Sequence, residues 1–171
     1  MRMCSTMLRA TLRLAATLAA LLALAPAHAG AQAPAPAAKP TKVFFMCPHG
    51  AAKSVLASAY FQKLAKERGL NVRVDSGGTE PDPAVGAAVV SHLEKNGMAV
   101  PIKKPRLVTP DDLETSDIVV SLGCDMKGLP APHTLRTWDD VPGPSQDFDG
   151  SVKAIRKHAE ELVAELERLV R

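Results

Sequence analysis

The sequence is poor in cysteine, and this scarcity excludes two classes of small protein. Its 171 residues contain three cysteines, of which only Cys47 and Cys124 lie beyond residue 29. A scaffold held by disulfides needs more cysteines, and a structural zinc site needs a paired C-x-x-C motif that is lacking here. We therefore predict neither a bound metal nor a cofactor. The sequence leaves open whether the two thiols are free or joined in one bridge.

Acidic residues are lacking from the first 29 positions, and no apolar run there is long enough to cross a membrane. Three arginines precede an apolar run at 14–25 and small residues at 26–29. This order is the signature of a secretory signal, and the run of about 12 residues is shorter than the ~20 that span a bilayer. We predict that residues 1–29 are a signal peptide, that the protein is exported to the periplasm, and that no membrane attachment persists after cleavage. An uncleaved anchor or a misassigned start codon is the alternative.

The remaining chain also lacks a charge imbalance. The whole sequence carries a formal charge of +3, and residues 1–29 contain three arginines, no lysine and no acid, so the mature chain is neutral. Nucleic acid is therefore not a predicted partner. Residues 30–41 are rich in alanine and proline with almost no large apolar side chain, which predicts a disordered linker. Residues 42–171 are long enough for one domain with its own core.

Apolar residues in this domain follow the spacing of strands and of helices in turn. A strand is predicted at 42–46, and the helix that follows begins at Ser54 and stops at Gly69. Thr109 is the predicted N-cap of a short helix that begins at Pro110. The other predicted strands are 71–74 (ended by the segment 75–79), 117–122 and 134–138, and the other predicted helices are 84–96 and 148–170. Strands alternating with helices predict an α/β protein with a parallel sheet and helices on both faces.

The loop between the first strand and the first helix carries a cysteine, a glycine, a cation and a hydroxyl in close succession. Loop amides and a helix N-terminus together attract an anion. Cys47 at the strand end is the candidate nucleophile, because a helix N-terminus and a nearby cation favour the thiolate. Lys53 would hold a positive charge over the anion, and the Ser54 hydroxyl would donate to the thiolate. Gly50 permits a positive φ in the candidate oxyanion loop, which consists of Pro48, His49, Gly50, Ala51 and Ala52.

Several of these polar residues also have simpler, non-catalytic interpretations. An inert buried cysteine is the alternative for Cys47. His49 is interpreted as a solvent-facing residue of the loop rather than as a general base. A basic cluster is interpreted as a solvated surface, with attraction of an oxyanion or a phosphoprotein as the alternative, and it consists of Lys103, Lys104 and Arg106.

Four segments of the domain, taken in order, carry a resemblance to a known family. They are 43–57 with the cysteine loop, 76–81 with Ser-Gly-Gly-Thr-Glu-Pro, 118–125 with Gly-Cys at its end, and 138–144 with Pro-Gly-Pro. Together they resemble the low-molecular-weight protein tyrosine phosphatase superfamily, which includes the thiol-coupled arsenate reductases. The resemblance covers residues 42–171 and implies a three-layer α/β/α fold with a central, mainly four-stranded parallel sheet.

Two residues depart from the superfamily's pattern. Lys53 stands at the position of its arginine, and a lysine lacks the planar fork that grips two oxyanion oxygens. Gly143 stands at the position of its general-acid aspartate, so the leaving group lacks its expected proton donor. Asp139 and Asp140 precede this position and are candidate substitutes, although surface acids in a turn are the simpler interpretation. Efficient turnover is therefore not implied by the resemblance.

The resemblance implies a cysteine-thiolate enzyme that acts on oxyanions, with three alternatives for its function. The first is hydrolysis of phosphate monoesters through a phosphocysteine at Cys47. The second is arsenate reduction, in which Cys124 is the candidate resolving thiol near the loop and an external thiol reductant completes the cycle. The third is a non-catalytic protein that binds oxyanions or senses redox state. The predicted partners are phosphate, arsenate or a phosphotyrosine-like oxyanion.

Overall fold

The fold is described by a computed structural model over residues 39–170. The predicted signal peptide (1–29) and the predicted linker (30–41), except for its last three residues, lie outside the described residues. Within residues 39–170, no helix combines the length and the apolar character needed to cross a membrane.

A four-stranded, all-parallel sheet forms the centre of the domain, with the strand order β2-β1-β3-β4. The central strand β1 is buried along most of its length, because it is paired on both edges and covered on both faces. This double coverage explains its continuous apolar run, which is typical of parallel sheets. The strands are β1 (Thr41–Cys47), β2 (Val72–Gly78), β3 (Ile118–Ser121) and β4 (Leu135–Thr137).

Helices cover both faces of the sheet, which confirms the predicted layer architecture. Alternate residues of β1 separate the two faces: Val43, Phe45 and Cys47 pack with α1, α2 and α4, whereas Phe44 and Met46 pack toward α3. The first face holds the larger core, in which α1 and α4 lie against each other. The helices are α1 (Lys53–Glu67), α2 (Ala87–Lys95), α3 (Pro110–Glu114) and α4 (Phe148–Val170).

The short helix α3 begins as its sequence predicts. Thr109 is the N-cap, Pro110 occupies the first turn, and the side chains of Thr109 and Asp112 each bond the other's backbone amide in a capping box. A capping box compensates two of the amides that a helix N-terminus leaves without partners. This explains how five residues hold a helical turn at a fixed place beside the sheet.

Strand β2 differs from its prediction, because the segment 75–79 does not end it at residue 74. The strand continues to Gly78 and pairs with β1 as far as the Cys47–Gly78 register position. The glycines have low intrinsic strand propensity, but ladder bonds from β1 on one side and from residues 106–108 on the other hold them extended. Strand β2 therefore ends at Gly78, level with Cys47 at the end of β1.

Because all four strands are parallel, their carboxyl ends lie at the same end of the sheet, and the loops that follow β1, β3 and β4 leave it there. These loops are the cysteine loop (48–52), the segment after residue 121 and the segment after residue 137. In parallel α/β sheets the carboxyl ends of the strands are where ligands bind. The topology therefore brings the candidate residues of three separate segments to one end of the domain.

Candidate active site

The candidate nucleophile Cys47 is the last residue of β1 and is almost completely buried. Its Sγ lies 3.2 Å from the Oγ of Ser54, a fully buried residue in the first turn of α1. A hydroxyl at this distance donates to the sulfur when the cysteine is a thiolate. The structure thus brings the sequence-predicted cysteine and serine into direct contact.

Three carbonyl groups of the cysteine loop bond one neighbouring segment. The amide of Glu80 donates to the carbonyl of Pro48 (2.8 Å), that of Asp82 to His49 (3.0 Å), and that of Gly86 to Ala51 (3.1 Å). Three bonds along seven residues fix the loop to the stretch that follows β2. These bonds orient three of the loop's peptide groups by their carbonyl ends.

The amide groups of the same loop are not used in this way. Within residues 39–170, no hydrogen-bond acceptor is found for the amides of residues 49–53. Helix α1 begins immediately afterwards, and its N-cap Ala52 provides no side-chain cap. Unpaired loop amides and an uncapped helix N-terminus together make a binding site for an oxyanion.

Two glycines allow the loop to approach the end of β2. Gly50 has φ 61°, and a Cβ added there would lie 2.8 Å from the amide nitrogen of Gly78. A Cβ on Gly78 would lie 2.5 Å from the amide nitrogen of Gly50 and 2.7 Å from the carbonyl oxygen of Pro48. Gly78 therefore belongs to the site as the surface against which the loop rests. Sequence reasoning did not assign this role, and the only available signal was the Gly77-Gly78 pair within a predicted turn.

The ammonium group of Lys53 lies beside the segment that follows β3. A Cβ added to Gly123 would be 3.3 Å from the Nζ of Lys53. Gly123 itself has φ 79°, so this turn needs a glycine for its backbone as well as for the lysine. The side chain of Lys53, the first residue of α1, therefore reaches the turn that carries Cys124.

Cys124 is half-buried, and it lies close enough to Cys47 and Lys53 to interact electrostatically with both. Burial raises the pKa of its thiol to about 11, and the charge of Cys47 adds to the rise. The hydrogen bond to Ser121 and the positive charge of Lys53 oppose it without reversing it. The structure therefore brings the second candidate thiol to the site but keeps it protonated at neutral pH.

We expect Cys124 to react slowly with iodoacetamide near pH 8, because the thiolate is the reactive form. A pKa of about 11 makes the thiolate fraction about 10²-fold smaller than that of an ordinary cysteine. The rate at Cys124 should keep rising with pH up to about 11, whereas a solvent-exposed cysteine peptide levels off near its own pKa. Peptide mass spectrometry of the alkylated full chain separates Cys124 from Cys4. A plateau below pH 9 would contradict the burial argument.

The two candidate substitute acids are placed differently from the loop residues. Both Asp140 carboxylate oxygens lie within hydrogen-bond distance of His158 Nε2, at 2.7 and 2.9 Å. The His158 ring stacks on Trp138, with 5.1 Å between the ring centroids. Asp139 is exposed in the turn after β4. The Asp140 carboxylate is thus bonded to a residue of α4 and not to the oxyanion loop.

Two polar side chains near the site differ in exposure: His49 is exposed on the cysteine loop, and Ser76 is buried in β2. The His49 ring is 64% exposed, with Nδ1 3.4 Å from Asp82 Oδ1. Ser76 is fully buried beside Phe45 in the sheet register, and its hydroxyl has no hydrogen-bond partner in the described part of the chain. Unpaired buried polar groups are rare and are often found at functional sites. No local pattern in the sequence predicts that this hydroxyl is buried without a partner.

A buried cysteine at the end of a parallel strand, followed by a loop of unpaired amides and a helix N-terminus, defines an enzyme class: proteins that attack bound oxyanions with a thiolate. The comparison with known families agrees. A sequence model of the low molecular weight phosphotyrosine protein phosphatase family matches residues 42–170. The chain belongs to this family.

Two relatives of the chain are named for different activities. A Halobacterium salinarum protein named "putative arsenate reductase" is 32% identical, over 74% of this chain and 90% of that protein. The protein-arginine-phosphatase of Bacillus subtilis is 28% identical, over 72% of this chain and 93% of that protein. Among solved structures, YfkJ from Bacillus subtilis superposes with a TM-score of 0.70 at 20% identity, over 80% of this chain and all of that one. At this identity, the similarity to YfkJ shows only that the fold is shared.

Proposed function

We propose that this protein is a phosphatase that hydrolyses phosphate monoesters through a covalent intermediate on Cys47. The observation that carries the proposal is the arrangement at the end of β1: Cys47 contacts the Ser54 hydroxyl, and the loop between them has amides at residues 49–53 without an acceptor in residues 39–170. This is the geometry that binds a phosphoryl group and presents it to a thiolate.

The reaction has two steps, each with a balanced set of bonds. In the first, the Cys47 thiolate attacks phosphorus, the bond from phosphorus to the ester oxygen breaks, and the leaving alkoxide takes a proton from water to become the alcohol. In the second, water attacks the phosphocysteine, the bond between sulfur and phosphorus breaks, and phosphate leaves with the thiolate restored. Splitting one difficult displacement into two easier ones is the purpose of a covalent nucleophile.

The loop residues then take distinct roles. The amides of residues 49–53 hold the phosphoryl oxygens, and the Ser54 hydroxyl stabilises the thiolate as entering group and again as leaving group. Lys53 supplies a positive charge, although its ammonium is a point charge and does not match two oxygens at once as an arginine fork does. We expect the charge to aid binding and the missing fork to limit stabilisation of the transition state.

Arsenate reduction is the second candidate, and the position of Cys124 is the observation that favours it. Cys47 would attack arsenate and expel hydroxide, and a second thiolate would then attack Cys47 to form a disulfide while arsenic leaves as arsenite. Arsenic gains two electrons and the two thiols lose them. The high pKa of Cys124 makes it a slow second nucleophile. An external thiol would fill that role better.

The predicted export signal bears on the choice between the two reactions. We propose that the mature protein works in the periplasm, where reducing thiols are scarce. Phosphate-ester hydrolysis consumes no reductant and can proceed there unaided, whereas arsenate reduction cannot. Cell fractionation combined with the mass of the processed chain tests the location, and a cytoplasmic, unprocessed protein would contradict it.

A side-by-side assay tests the function. Fully reduced protein is given p-nitrophenyl phosphate or arsenate, each with and without an excess of dithiothreitol. We expect nitrophenol release at the same rate in both conditions and no arsenite beyond a single turnover. Arsenite formed repeatedly with dithiothreitol, and no nitrophenol, would replace the phosphatase by the reductase. Tight phosphate binding without either product would make the protein a non-catalytic oxyanion binder.

A further inference from the structure

The basic cluster in the sequence predicts that Arg106 is part of a solvated surface, but its half-buried side chain is bonded to two carboxylates. Its guanidinium donates to both carboxylate oxygens of Asp112, at 2.7 and 2.8 Å, and to Asp75 at 2.9 Å. It also lies over the Phe44 ring, 5.2 Å from the centroid. Although burial alone would raise the pKa of Asp112, the bonds from Arg106 and Thr109 bring it below its ordinary value. Asp112 is therefore held as a carboxylate against the planar cation of Arg106.

The backbone of Arg106 is attached to the end of β2. Its carbonyl accepts a hydrogen bond from the amide of Gly78 (2.9 Å), and the amide of Val108 donates to the carbonyl of Gly78 (3.0 Å). Both hydrogen-bonding groups of Gly78 are thus used by the segment 106–108. The clamp from Arg106 to Asp75 and Asp112 joins this segment to β2 and to the first turn of α3.

Gly78 in turn sets the position of the oxyanion loop. The loop approaches it so closely at Gly50 that neither residue has room for a Cβ. The residues just after Gly78 supply the amides of Glu80 and Asp82 that bind the loop carbonyls of Pro48 and His49. A shift of Gly78 would move both the steric and the hydrogen-bonded supports of the loop. The Arg106 guanidinium is thus linked to the loop through one residue, Gly78.

We propose that Arg106 is a positioning residue for the oxyanion loop, acting through Gly78 to set the direction of the amides of residues 49–53. The proposal rests on the proposed function only in that an oxyanion is what those amides bind. Arg106 itself does not touch the reacting atoms. Its guanidinium fixes a strand-like segment with three charge-assisted bonds, and such a fork cannot be replaced by a lysine without loss of geometry.

The test compares Arg106→Gln and Arg106→Lys with a matched control, Arg136→Gln. Arg136 also sits in an extended segment and bonds a carboxylate, Glu165 at 2.6 Å, but it does so on β4 and without any link to Gly78. The first readout is the backbone amide signal of Gly50 in a ¹⁵N–¹H NMR spectrum. The second is the dissociation constant for inorganic phosphate, measured by calorimetry below the unfolding temperature of every variant.

We expect Arg106→Gln to shift the Gly50 and Gly78 amide signals and to weaken phosphate binding about tenfold, a change of about 1.4 kcal/mol. Arg106→Lys should recover part of the affinity, and Arg136→Gln should change neither readout. If Arg106→Gln does not fold, Asp112→Asn weakens the same clamp and leaves the bond to Asp75 in place. Unchanged Gly50 signals in a folded Arg106 or Asp112 variant would overturn the proposal.

The Gly50 signal and the phosphate dissociation constant distinguish a failure of this proposal from a failure of the proposed function. Wild-type protein that binds phosphate but releases no nitrophenol would contradict the phosphatase and leave the role of Arg106 open to the same measurements. Wild-type protein that binds no phosphate would contradict the phosphatase too, and the Gly50 signal would still decide whether Arg106 positions the loop. In that signal a merely stabilising arginine would produce no local change, because loss of stability alone leaves the folded-state spectrum intact.

Discussion

Replacing Cys47 with serine should abolish phosphate-ester hydrolysis while the protein continues to bind inorganic phosphate. The serine hydroxyl stays protonated at neutral pH and is a poor nucleophile without an adjacent base. Removal of a covalent nucleophile costs on the order of 10³-fold or more in rate. The loop amides that hold the oxyanion are unaffected by the exchange of one sulfur for one oxygen. Initial rates on p-nitrophenyl phosphate and phosphate calorimetry measure the two properties on the same sample.

The other thiol provides the matched control for this prediction. Cys124→Ser makes the same chemical change in the segment that follows β3, outside the oxyanion loop, and we expect it to retain hydrolysis. If Cys47→Ser keeps its activity, the nucleophile has been assigned to the wrong residue. If both variants lose activity and a thiol reductant restores neither, the two cysteines act together, and the reductase becomes the better explanation.

Replacing Gly143 with aspartate should raise the rate of hydrolysis by about 10²-fold, the lower end of what a positioned general acid supplies. The residue lies in the turn between β4 and α4, where its carbonyl accepts bonds from the amides of Gln146 and Asp147. A Cβ added there would meet no atom closer than 3.8 Å. The turn thus has space for a carboxyl group at the position where the superfamily's pattern carries its acid.

The identity of the leaving group makes this prediction sharp. An acid that protonates the departing oxygen should help phenyl phosphate more than p-nitrophenyl phosphate, because nitrophenol leaves readily without a proton. The gain should be present at low pH and disappear as pH rises through the pKa of the new carboxyl group, since only its protonated form donates. Gly143→Asn has the same size and no acidic proton. An equal gain from the asparagine variant would show that the effect is not acid catalysis.

These predictions depend on how the site departs from its family. The resemblance implies an arginine at the position of Lys53 and an aspartate at that of Gly143. Because a lysine grips two oxygens less well and a glycine donates no proton, we expect both departures to reduce turnover more than binding. The Asp140 carboxylate is bonded to His158 on α4, so we do not expect it to replace the missing proton donor. We therefore expect a slow phosphatase whose oxyanion affinity is better preserved than its rate.

Much of the fold followed from local patterns in the sequence. The apolar run of β1, the helical spacing of α1 and α4, and the capping signal at Thr109 all predicted elements that the structure contains. The cysteine loop was predictable for the same reason. Its residues lie within eight consecutive positions, so their chemistry and order reveal an oxyanion site without knowledge of distant contacts.

Residues whose roles depend on distant partners were the ones that could not be predicted. The extension of β2 to Gly78 comes from its two neighbouring segments, which override the low strand propensity of glycine. Arg106 looked like one of three surface cations, and only folding brings Asp75 to it from 31 positions away. The bond between Asp140 and His158, 18 positions apart, is a contact of the same kind.

The sequence by itself determined the domain type and predicted a nucleophile and an oxyanion loop, because these depend on short-range spacing and residue chemistry. Only the tertiary structure decided what the loop rests on, what holds that support, and whether the second thiol is ionised. The reason is physical: strand pairing, close packing of two glycines and burial of a thiol are set by segments far apart in the chain. The cysteine loop is local in sequence, but its geometry is held from a distance.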